Sequence, residues 1–275
     1  MKETSKKKEI IEKVIADLKS EKDGYCRITH KKGWLGFLGD GDLVITPYEL
    51  QDVLKKVISN YPPRGKKLFC LRKKDTFTVT IEKTPYRPEE ALERFITAAN
   101  PENFYGQVPI GGGKESIDIG IQESGEKFIF VELKPWRSTN TPLYAIVESL
   151  KNLIEYRFIL EKQIEDIPRF KEVDLIVLAP QSYYRDYGLI DSTGLPWEDK
   201  IDTVKKALND LSLVFETSIS LMILPIEKED FLDKCRRICE EQNIDKQQSI
   251  SISKSAALPE LARNKWKLLV SSDKE

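Results

Sequence analysis

Two short stretches constrain this chain more than anything else in it: residues 173–180 (VDLIVLAP) and residues 219–226 (ISLMILPI), each apolar nearly throughout and each running into a proline. A strand of that composition has no polar face to give to water, so it must be buried on both sides within a covered sheet. Amphipathic segments stand around them. Residues 141–163 (TPLYAIVESLKNLIEYRFILEKQ) carry Leu143, Val147, Leu150, Ile154 and Phe158 at helical spacing, with Thr141 as N-cap and Pro142 at the first helical position. Residues 202–213 and 228–243 have the same character. The expected order of helix, strand, strand, strand, helix, strand, helix, strand is that of an α/β protein with a mixed central sheet flanked by helices.

The first of those helices begins near Pro88, where Glu89 and Glu90 suit the positive end and Leu92, Phe95, Ile96 and Ala99 form the buried stripe. Asn100 and Pro101 stop it. Residues 104–110 (FYGQVPI) are expected as a short edge strand, followed by a glycine turn at 111–113 and a hairpin from 115–122 (ESIDIGIQ) through SGEK to 128–134 (FIFVELK). We divide the chain into a small N-terminal α+β module (1–84), a main α/β domain (85–245) and a polar C-terminal tail (246–275). The front module is expected to hold helices at 5–19 and near 47–59, a turn at 61–65, and strands around KLFCLRK and DTFTVTIEK.

Composition removes several functional classes. No apolar stretch approaches the roughly 20 residues of a membrane-spanning helix, and the N-terminus lacks the apolar core of a signal peptide, so a cytoplasmic protein without a membrane partner is expected. The single histidine, His30, excludes any mechanism that needs two. Cys26, Cys70, Cys235 and Cys239 form neither a disulfide framework nor a CxxC pair and are expected as reduced thiols. Net charge is −1, yet residues 1–75 hold 18 Lys and Arg against 11 Asp and Glu, so a front balance of +7 faces −8 in the remainder. A basic front is compatible with a polyanionic partner.

The chemistry concentrates in the hairpin. Asp118 interrupts an isoleucine strand, and Glu132 and Lys134 are two apart on the next strand, so they share a face. The SGEK turn is able to set Asp118 beside Glu132. Charges among apolar strands are costly unless paired or metal-bound, and two adjacent carboxylates repel until a cation or proton intervenes. Hard oxygen donors without histidine or thiolate favour Mg²⁺ or Mn²⁺. The bland alternative is a salt-bridge cluster at a strand end.

Asp118 together with Glu132-Leu133-Lys134 resembles the PD-(D/E)xK nucleases, the restriction-endonuclease-like superfamily, over residues 88–180. Ile117 stands where the motif has proline. The resemblance implies a mixed sheet flanked by helices, Mg²⁺- or Mn²⁺-dependent cleavage of phosphodiester bonds in DNA, and a glutamate from the preceding helix assisting the metal. Glu89 and Glu93 both lie near that helix's apolar stripe and are both candidates. Asp118 and Glu132 are then the expected metal ligands, with Leu133 adding its backbone carbonyl and Lys134 as the catalytic lysine. Glu148, Asn152, Glu155 and Tyr156 of the following helix are further candidates to line the site.

Trp136 and Arg137 are candidates to stack on a base or grip a phosphate, as are Lys114 in GGGK and the tyrosines of 183–187 (YYRDY). A homodimer or a protein partner would engage the chain through the N-terminal module. A second expectation is the same fold without turnover, used for binding or assembly. An unrelated α/β enzyme would instead put Asp118 and Lys134 on opposite faces of the sheet.

Overall fold

A computed structural model describes residues 46–60, 62–63, 68–71, 77–80, 88–111, 116–136, 138–164, 167–241, 249–252 and 258–273. The expected helix at 5–19, Lys114 and Arg137 lie outside the described residues, as do His30 and Cys26.

Six strands form one sheet in the order β2 (Phe104–Pro109), β3 (Ser116–Gln122), β4 (Lys127–Leu133), β5 (Glu172–Pro180), β6 (Ile219–Leu224) and β8 (Lys267–Ser271). Its centre, β4 to β6, is parallel, and the two strands on one flank and β8 on the other run antiparallel to their neighbours. A separate antiparallel pair joins β1 (Phe77–Thr80) to β7 (Ser249–Ile252), next to helix α2 (Pro88–Ala99). The protein is thus α/β with a mixed six-stranded sheet.

The two-sided burial expected of residues 173–180 holds. In β5, Leu175, Val177 and Ala179 face one core while Ile176 and Leu178 face the other. The first core lies under α1 (Pro47–Asn60), α3 (Pro142–Lys162) and α5 (Glu198–Phe215), and the second under α2 and α6 (Lys228–Glu241). Fully burying a Leu or Phe side chain stabilises by about 1.5–3 kcal/mol, and Leu92, Phe95, Phe128, Leu150, Leu178 and Phe215 are all wholly enclosed.

Local signals place the helices. The α1 start is a reciprocal cap: the Thr46 N–H donates to Glu49 Oε2 at 2.9 Å, and the Glu49 N–H to Thr46 Oγ1 at 3.3 Å. Thr141 caps α3 by accepting from the Tyr144 N–H at 3.2 Å, with Pro142 behind it, and the helix ends on left-handed Gln163. Arg157 of α3 in turn donates to the carbonyls of Phe215 and Glu216 where α5 ends, satisfying acceptors a helix end leaves open.

Two parts differ from expectation. The described portion of 1–84 is continuous with the main core: Leu50, Leu54, Ile58, Leu68 and Phe69 pack with α3 and α5 residues, and Phe69 bridges to Ile110. The expected polar C-terminal tail supplies β8, with Leu269 and Val270 buried beside β6 while Trp266 fills the opposite core.

Candidate metal centre

The site stands at the C-terminal end of β4, where open α/β sheets present ligand-binding groups. The β3–β4 ladder runs to the pair Ile119↔Val131. One step further, Asp118 comes across from Glu132. The Leu133 N–H, which a continued ladder would offer to β3 backbone, donates instead to Asp118 Oδ2 at 2.8 Å. Strand β2 is irregular at the same level: Gln107, between the pairs Gly106↔Ile119 and Val108↔Ile117, has φ of 48°. Beside this left-handed residue, Ile117 of β3 enters one core and Ile119 the other, whereas simple alternation puts both on one face.

Helix α2 brings its first turn to this strand end. Ligand oxygens of Glu89, Asp118 and Glu132 all lie within 4.8 Å of one another, a spacing that suits a single cation. Glu93 is not in this group. One turn further along α2, its carboxylate lies against Gly106 of β2, where an added Cβ would come within 2.6 Å of Glu93 Oε1. Lys134 is buried, and its Nζ pairs closely with Glu132 Oε1 and reaches Glu148 Oε2 of α3 at 3.3 Å. The Tyr144 ring lies 6.0 Å from the same ammonium. Asp118, Glu132 and Lys134 therefore meet at one strand end and do not sit on opposite faces.

The electrostatics follow from four carboxylates around one ammonium. Burial, with Glu89 and Glu148 adding to it against the pull of Lys134 and the Leu133 N–H, pushes Asp118 up to about 7. Burial first, then the Asp118 carboxylate, raises Glu132 well above the ordinary carboxylate range. Burial also raises Glu89. For Lys134, burial opposes the charge, but Glu132, Glu148, Asp118 and Glu89 together outweigh it and hold the side chain as ammonium. Without a cation the site relieves its repulsion by retaining protons; a divalent ion would relieve it by coordination. The donors are all carboxylate oxygens, which fits Mg²⁺ or Mn²⁺ rather than zinc.

Other candidates fall elsewhere. Trp136 is buried in the α2/α6 core, its ring 5.4 Å from that of Phe231 and its Nε1 donating to the Ile226 carbonyl, so it offers no face to a base. The tyrosines of 183–187 are buried too, on and just after the short helix α4 (Gln181–Asp186). The Tyr183 hydroxyl donates to Asn140 O and that of Tyr187 to Ser138 O, both at 2.8 Å, and the Tyr184 hydroxyl to Val177 O. Tyr183 and Tyr187 thereby brace the loop from Lys134 to α3. Tyr156 secures the 168–170 segment, accepting from the Phe170 N–H and donating to Pro168 O. Cys235 and Cys239 are buried and not joined in a disulfide. The contact of Glu148 with Lys134 was legible only as a residue two turns into a capped helix.

No protein-family model, curated protein or solved structure matches this chain. Among the described residues, no helix is long and apolar enough to cross a membrane.

Proposed function

We propose that this protein is a Mg²⁺- or Mn²⁺-dependent nuclease of the restriction-endonuclease-like, PD-(D/E)xK kind, hydrolysing phosphodiester bonds of DNA. The observation that carries the reading is the convergence of Glu89, Asp118 and Glu132 within 4.8 Å, with the Lys134 ammonium against Glu132. A structural salt bridge would balance Lys134 with one carboxylate; here three acidic residues are brought together and a fourth, Glu148, stands at their edge. The acidic start of α2, the Asp118 strand, the Glu132-Leu133-Lys134 strand end and the long α3 also follow one another in the order on which the resemblance rests.

In this reading Glu89, Asp118 and Glu132 hold the cation. A hard divalent ion at such a site supplies Lewis acidity toward a phosphoryl oxygen and water of lowered pKa. The chain's own groups do the rest. The Leu133 N–H fixes the Asp118 carboxylate so that it arrives preorganised. Lys134, held charged by its neighbours, is suited to donate hydrogen bonds and to neutralise charge growing on phosphate oxygens, and unsuited to act as a base. The loop braced by Tyr183 and Tyr187 keeps Lys134 and α3 in fixed relation.

The test is cleavage of plasmid and single-stranded DNA with Mg²⁺ or Mn²⁺, in wild type, Asp118→Asn and Lys134→Met. Expected is metal-dependent cutting that either substitution lowers by about 10²-fold or more. Wild-type protein that binds Mn²⁺ but cuts neither DNA would overturn the nuclease reading in favour of a binding role.

A further inference from the structure

Glu132 is shared between two demands. It belongs to the carboxylate triad, and it is also the closest partner of a buried ammonium. Lys134 exposes only 4% of its side chain, and a buried charge stripped of its partner is strongly destabilising. If Glu132 turns its oxygens to a cation, Lys134 needs another anion or it must leave the site. Only one other carboxylate touches it among the described residues. Glu148 reaches Nζ at 3.3 Å from a separate element, α3, and is not part of the triad.

The geometry points to Glu148 as a positioning residue: we propose that it retains the Lys134 ammonium beside the triad when Glu132 is committed to the cation. This rests on the reading that the triad holds a divalent ion. Thr141 and Pro142 fix where α3 begins, the Tyr183 bond to Asn140 fixes the loop before it, and Glu148 stands one helical turn beyond Tyr144, whose ring also adjoins the ammonium. Its side chain remains 36% exposed, so it is not enclosed as Glu132 is.

The role predicts that Glu148 acts on the cation only through Lys134, which a double-mutant cycle separates from direct action. Mn²⁺ binding would be measured by calorimetry on full-length wild type, Glu148→Gln, Lys134→Met and the double variant. Glu148→Gln is expected to weaken Mn²⁺ binding about tenfold when Lys134 is present and less than about twofold in the Lys134→Met background. Equal losses in both backgrounds would show Glu148 acting directly on the ion, and no loss in either would show it idle; both overturn the proposal.

Should Lys134→Met fail to fold, the ¹⁵Nζ signal of Lys134 in Mg²⁺-saturated protein gives the answer. It should persist in wild type and broaden into solvent exchange in Glu148→Gln; persistence in both overturns the proposal. Wild type that binds no Mn²⁺ defeats the metal-site reading together with this inference, whereas binding with an additive cycle defeats this inference alone.

Discussion

Replacing Asp118 by asparagine should make the cation-free protein more stable, although it removes a charge from the centre of the site. The asparagine side-chain oxygen can still accept from the Leu133 N–H, so the local bond survives, while repulsion from Glu89, Glu132 and Glu148 is relieved. Asp118 titrates near 7 in the folded protein, against an ordinary value of 3.8. At about 1.4 kcal/mol per pH unit, that displacement sets a ceiling of about 4 kcal/mol. Asp118 is only half-buried and shares its proton with neighbouring carboxylates, so about 2 kcal/mol is expected.

The sign is fixed by linkage. A carboxyl whose folded pKa is raised binds its proton better folded than unfolded, so wild-type stability falls as pH rises from about 4 to about 7 and then levels. Urea denaturation in EDTA, at pH 4 to 8, should therefore show the advantage of Asp118→Asn growing through that window to about 2 kcal/mol. Millimolar Mn²⁺ should reverse the order, since only wild type gains binding energy. An advantage that does not change with pH, or a variant less stable at pH 8 without metal, would refute the argument.

Two further outcomes follow from the same geometry. Glu89→Gln should weaken Mn²⁺ binding about tenfold or more, whereas Glu93→Gln should leave it within about twofold, both read by calorimetry; equal effects would mean that α2 presents the other glutamate. Trp136→Ala should cost about 3–5 kcal/mol in urea denaturation because its ring fills the core against Phe231; a loss below about 1 kcal/mol would return it to the surface.

The sheet and the heart of the site were legible because both depend on short-range periodicity. Alternation alone puts Glu132 and Lys134 on one face, and the brevity of SGEK forces β3 and β4 into a hairpin, so Asp118 has few places to go. Choosing between Glu89 and Glu93 was beyond the sequence, since a helical wheel gives direction but not how the helix sits on the sheet; Gly106 makes room for the Glu93 carboxylate and leaves Glu89 for the site. Aromatic residues misled for a related reason. Trp136 and the tyrosines at 183, 184 and 187 sit among polar and charged residues in the chain, yet each finds a backbone carbonyl for its polar atom and buries the rest. Strand β8 was obscured by exposed Lys265 and Lys267 and by a bulge in its pairing with β6, which lets the neighbours Leu269 and Val270 both be buried and breaks the simple alternation.

In the proposed site, Glu89, Asp118 and Glu132 hold one divalent cation beside Lys134. Its most direct test is an anomalous difference map from crystals grown with Mn²⁺. One strong peak enclosed by those three carboxylates, with Lys134 adjacent, is expected; a map with no peak there, from protein saturated with Mn²⁺, would rule the site out.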